Sequence, residues 1–112
     1  MTHDELCVRA AQWLKARRRC VAVTTRRMMT REVPDALGWT ASGFSTLVEC
    51  KVSKADFFRD AAKPFRRKPD TGVGQERFFM APPGLIPFDE VPDGWGLLEV
   101  RGMRSMPSRK YT

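Results

Sequence analysis

Two extended segments, residues 33–40 and 45–52, are separated only by Ala41-Ser42-Gly43 and Phe44, and they constrain this chain most. β-Forming runs joined by a short glycine-containing turn predict an antiparallel hairpin. Along the second run Leu47, Glu49 and Lys51 fall on one face, while Val48, Cys50 and Val52 fall on the other. Charged side chains on an inward face of such a strand are costly unless they are paired or hold a cation. With the turn centred near Ser42, the residue opposite Asp35 is position 49, give or take about one. Folding the hairpin therefore brings Asp35 and Glu49 together across thirteen intervening residues.

Two neighbouring carboxylates are hard oxygen donors, the kind that Mg²⁺ or Mn²⁺ prefers. An ion held there lowers the pKa of a bound water and stabilises charge on a phosphate. A lysine two residues on, Lys51, is suited to orient that water or offset the developing negative charge. Asp35, Glu49 and Lys51 are thus the candidate catalytic residues, with Asp35 and Glu49 the metal ligands. The competing structural explanation is a same-face Glu49–Lys51 ion pair, with Asp35 merely opening a Pro-Asp turn.

Around the hairpin the pattern is mixed. Thr2-His3-Asp4-Glu5 has the form of a capping box, and Leu6, Ala10, Trp13 and Leu14 share one helical face. A first helix is expected over residues 3–18, ending in Arg17, Arg18 and Arg19, which suit the negative end of the helix dipole. Cys20 to Thr25 reads as a strand. Ser53 is placed to cap a second helix, which Pro64 must end or kink. Residues 77–81 and 96–100 read as further strands, with one turn of helix between Asp89 and Trp95. The order is helix, three strands, helix, two strands: one mixed α/β domain over 1–101, then a basic tail over 102–112.

Length allows one modest core, and no apolar run is long enough for a membrane span. The first residues lack signal-peptide order, so a cytoplasmic protein, bacterial or phage-encoded, is expected. Cys7, Cys20 and Cys50 show no zinc or disulfide spacing, and the single histidine, His3, sits near an end expected to fray. The net charge of +7 points to a polyanionic partner, most commonly nucleic acid. Lys54 lies beside the motif, and Lys63, Arg66, Arg67 and Lys68 follow its helix; all are candidate phosphate contacts that position without reading sequence. Gly72 and Gly74 lack the strand-then-helix context of a phosphate-cradling loop.

Pro34-Asp35 followed by Glu49-Cys50-Lys51 resembles the signature of the PD-(D/E)XK nuclease superfamily. The longer series is more specific. It comprises Glu49 to Phe57, Asp60, Lys63 to Arg66, Gly72-Val73-Gly74, Arg77-Phe78-Phe79, Pro82 to Ile86 and Pro92 to Leu98. Together these resemble the small MmcB-like endonuclease branch of bacteria and phages, over about residues 4–101. The resemblance implies a restriction-endonuclease-like α-β-β-β-α-β core: a mixed sheet flanked by helices. It also implies Asp35 and Glu49 as ligands of Mg²⁺ or Mn²⁺ and Lys51 as the catalytic lysine, in an endonuclease acting on DNA in repair or phage nucleic-acid processing. Many members add an acidic residue from the first helix. Glu5 is the nearest candidate here, although its capping-box role accounts for it equally well, and Glu32 is a weaker rival. A basic residue expected just after Asp60 is absent, since Ala61-Ala62 precede Lys63. That departure leaves open a catalytically weak or inactive nucleic-acid-binding module on the same fold. A homodimer is the expected assembly for engaging duplex DNA.

Overall fold

Thr2 and Glu5 start the first helix as their spacing predicts. In the computed structural model the Thr2 side chain accepts from the Glu5 backbone N–H, and the Glu5 carboxylate accepts from the Thr2 N–H at 2.8 Å. This reciprocal cap satisfies two backbone donors that a helix start otherwise leaves without partners. Helix α1 runs His3–Arg17, so His3 lies within the first turn and not in a frayed end. Residues 1–24, 35–61, 74–101 and 104–105 are described by the structure.

Strand β1 (Ala22–Thr24), β2 (Ala36–Trp39) and β3 (Ser45–Cys50) form an antiparallel meander. Ser53 then caps helix α2 (Lys54–Ala61), its hydroxyl accepting from the Asp56 N–H at 3.2 Å. Strand β4 (Glu76–Ala81) returns parallel to β3. A 3₁₀ turn at Phe88–Glu90 precedes β5 (Trp95–Arg101), which lies parallel to β4. The sheet order is β1-β2-β3-β4-β5-β6, where β6 is Arg104–Ser105 paired antiparallel to the end of β5. This last strand is a difference from the expected loose tail: Arg104 and Ser105 pair with Arg101 and Val100 of β5. Among the described residues Cys20, Val21, Asp35 and Thr40, expected as strand, lie just outside β1 and β2.

β3 and β4 are central, and their residues alternate between two apolar layers. Val48, Cys50, Phe78 and Met80 pack against Leu6, Cys7, Ala10, Trp13 and Leu14 of α1. Leu47 and Phe79 face the opposite layer, with Phe57 from α2 and Ile86 and Val91 from the β4–β5 connection. Aromatic contacts hold each side: Trp13 meets Phe78 edge-on at 5.0 Å, and Phe79 stacks on Trp95 at 4.4 Å. Gly74 enters β4 at φ +91°, and a Cβ there would lie 2.8 Å from that of Leu47. Only glycine meets both conditions cheaply. The parallel order around β3, α2 and β4 leaves the C-terminal end of β3 between the two helices, where the candidate residues lie.

Candidate active site

Register decides how the motif residues meet. Ala36 pairs with Val48 and Leu37 with Leu47, so Asp35, one residue before β2, lies alongside Glu49. The hairpin expectation for that pair of positions matches this register. Glu49 sits on the central strand and is 4% exposed. By strand alternation it belongs to the Leu47 face, with Phe79 of β4 as its register partner.

Asp35 is turned differently from the simple expectation of two carboxylates sharing a face. Its Oδ2 accepts from the Cys50 backbone N–H at 2.9 Å and lies 3.2 Å from His3 Nε2. The carboxylate thus takes up an N–H at the end of the β2–β3 ladder and leans toward α1. The α1 residue that reaches Asp35 is His3, whereas the Glu5 carboxylate is exposed and spent on the cap. Capping also holds the Glu5 carboxyl below the usual carboxylate range, through its hydrogen bonds with Thr2. Glu5, expected as a third metal ligand, is therefore engaged elsewhere, for the capping reason that its sequence context already offered.

Lys51 follows β3, and its backbone N–H donates to the Met80 carbonyl at 2.9 Å. Its ammonium forms an ion pair with Asp60 Oδ2 of α2 at 2.5 Å, the two side chains being 13% and 3% exposed. Asp60 was visible in the sequence as part of the motif series. Its partnership with Lys51 was not, because it depends on how α2 packs over the end of β3.

A second group gathers on the α1 side. A nitrogen of His3, Sγ of Cys7 and a carboxylate oxygen of Asp35 all lie within 4.8 Å of one another. Among the described residues this is the group of three or more metal-type side chains so placed. His3 Nδ1 is 3.8 Å from Cys7 Sγ, the two residues standing one turn apart on α1. Cys7 in turn hydrogen-bonds the thiol of Cys50, and that contact, burial, and the nearby Asp35 and Glu49 carboxylates push the Cys50 thiol far up. Sequence reading passed over His3 and Cys7; their i, i+4 spacing on one helical face was the available signal.

Of the candidate phosphate contacts, Lys54 opens α2 and is exposed. Lys63, Arg66, Arg67 and Lys68 lie outside the described residues, as does Glu32. Arg18 has a structural role. Its guanidinium covers Trp13 at 4.9 Å and Phe78 at 5.2 Å, and Nε lies 2.9 Å from Glu76 Oε1 as an ion pair without hydrogen-bond alignment. Among the described residues no helix is long and apolar enough to cross a membrane.

No protein-family model and no curated protein matches the chain. Among solved structures it is similar to the SPO1766 protein of unknown function from Silicibacter pomeroyi. The two share 22% identity at a TM-score of 0.70, over the whole of this chain and 76% of the other. That likeness establishes a shared α/β fold.

Proposed function

We propose that this chain is a metal-dependent phosphodiesterase of the PD-(D/E)XK type that cleaves DNA. One observation carries the proposal: the β2–β3 register that sets Asp35 alongside Glu49, itself a carboxylate buried to 4% exposure on the central strand. The element order α1, β1, β2, β3, α2, β4 supports it, being the order that the motif resemblance implies. Asp35 and Glu49 offer hard oxygen donors and so fit Mg²⁺ or Mn²⁺. Such an ion, when bound, activates a water and offsets charge on the phosphate.

The chain's own residues have separable parts. Asp35 and Glu49 would hold the ion, with the Asp35 carboxylate, which the Cys50 N–H and His3 engage, turning toward Glu49 to do so. Lys51, steadied by Asp60, donates toward a phosphate oxygen or the attacking water. Lys54 and the basic segment Lys63, Arg66, Arg67 and Lys68 neutralise the DNA backbone. A cytoplasmic setting and a homodimer spanning duplex DNA belong to the same proposal.

Purified protein with Mn²⁺ is expected to cleave at least one of single-stranded, duplex, nicked or branched DNA. Glu49→Gln should abolish both cleavage and the heat of Mn²⁺ binding while leaving the circular dichroism spectrum unchanged. Cleavage that survives in Glu49→Gln overturns the assignment. The engagement of Lys51 by Asp60 favours one second proposal, a DNA-binding module without turnover, which predicts salt-sensitive binding and no products with any metal.

A further inference from the structure

His3, Cys7 and Asp35 are drawn together from two elements: a helix that begins at His3 and the residue that enters β2. The hard-ion chemistry proposed above uses neither the imidazole nor the thiol. We propose that these three side chains form a separate site for a borderline transition-metal ion of the Zn²⁺ or Co²⁺ class.

Donor type separates it from the Asp35–Glu49 pair. Imidazole and thiolate favour Zn²⁺ and its neighbours, whereas carboxylate oxygens alone favour Mg²⁺ and Mn²⁺. Zinc takes sulfur at about 2.3 Å and nitrogen or oxygen at about 2.0–2.2 Å, so ligand atoms in a tetrahedron stand roughly 3.3–3.6 Å apart. With one ligand atom from each residue, the His3 nitrogen, Cys7 sulfur and Asp35 oxygen lie within 4.8 Å of one another, so small side-chain shifts bring them to that spacing. The imidazole bridges its two neighbours with both ring nitrogens. A rotation of this half-buried ring turns one nitrogen to the ion and lets the ion replace both contacts.

The surroundings suit a ligand set. His3 and Cys7 sit one helical turn apart on α1, which holds their spacing. The Cys50 N–H orients the Asp35 carboxylate at 2.9 Å, as outer hydrogen bonds commonly do for metal-bound carboxylates. His3 is partly exposed, with its side chain 32% accessible, so an ion can enter from solvent while Cys7 closes the inner side. Three protein ligands with one further position resemble an open site more than a sealed structural one. Because Asp35 is common to both sets, occupancy here would draw it from Glu49 and inhibit cleavage by Mn²⁺. That consequence rests on the proposed nuclease activity, whereas the site itself does not.

The test is titration of the reduced full-length chain with Co²⁺ alone, followed by absorption, with Zn²⁺ competing the cobalt off. One equivalent is expected to give a thiolate-to-cobalt charge-transfer band and the visible bands of a four-coordinate ion. Cys7→Ala should remove the charge-transfer band. His3→Gln, at a partly exposed position, should weaken Zn²⁺ binding at least tenfold while leaving the circular dichroism spectrum unchanged. Glu49→Gln should keep the cobalt spectrum while losing Mn²⁺ binding, which separates failure of this site from failure of the nuclease proposal. A cobalt complex without a thiolate band, or Zn²⁺ affinity unchanged in His3→Gln, overturns the site and leaves the three residues as a hydrogen-bonded tie between α1 and β2.

Discussion

Lys51 and Asp60 are the residues whose chemistry is most easily misjudged. Their ion pair is nearly buried, at 13% and 3% exposure, so removing one partner strands the other charge in a poorly solvated place. Breaking such a pair by deleting one side costs about 3–5 kcal/mol, while replacing both by apolar groups is often close to neutral. Lys51→Ala is therefore expected to lower the urea midpoint substantially, and Lys51→Met with Asp60→Leu to recover most of that loss. If Lys51→Ala unfolds at the wild-type midpoint, the pair contributes little to stability. The double variant is also the better probe of catalysis, since it removes the ammonium without the stability penalty. Glu49 differs in kind: it is a strand residue held by its neighbours on both sides, and its replacement by glutamine keeps the shape.

At the scale of elements, the first helix is the part on which the α1-side chemistry hangs. The Thr2–Glu5 capping box sets the helix start, and that start puts His3 and Cys7 on successive turns beside Asp35. Thr2→Ala is expected to cost about 0.5–2 kcal/mol of stability by chemical denaturation. The loss should appear as faster amide exchange in the first turn, with β3 and β4 amides keeping their relative protection. Uniform exchange across α1 and the sheet would show that the cap and the core are not separable. Helix α2 is shorter and holds its place differently, through Phe57 against Phe79 and Asp60 against Lys51. The β3–α2–β4 unit thus carries both an apolar and an ionic anchor, and the ionic one lies at the candidate site.

For the whole molecule, the net charge of +7 is the property that bears on partners. Exchange of phosphate counterions for lysine and arginine makes nucleic-acid affinity fall with salt, with a log–log slope of about −0.9 per phosphate neutralised on duplex DNA. Binding of a short duplex, followed by fluorescence anisotropy, is expected to weaken steeply between low and moderate salt and to show little sequence preference. Affinity indifferent to salt would remove nucleic acid as the partner. The sheet places its central strands between two apolar layers, so the charged groups gather at the ends of strands and at helix starts. Asp35, Lys51 and Lys54 lie at such ends, whereas Glu49, Arg77 and Glu99 within strands and Asp60 in α2 are buried charged residues.

Much of this was legible in the chain itself, because it depends on local rules. The capping box, the Ser53 cap, the order of helices and strands, and the register that sets Asp35 beside Glu49 follow from short-range pattern and turn length. The shared fold with the Silicibacter pomeroyi protein agrees with that α/β order. The remainder needed long-range packing. Which way Asp35 turns depends on the Cys50 N–H and on His3, which come from the hairpin's other strand and from a helix 32 residues earlier. Lys51 finds Asp60 only after α2 has settled over β3. The two thiols of Cys7 and Cys50 meet only because α1 lies across that same strand. The sequence alone determined which residues could stand near one another along a hairpin or a helix face. Tertiary structure decided which of them share hydrogen bonds, since a side chain's orientation is set by whatever elements close over it.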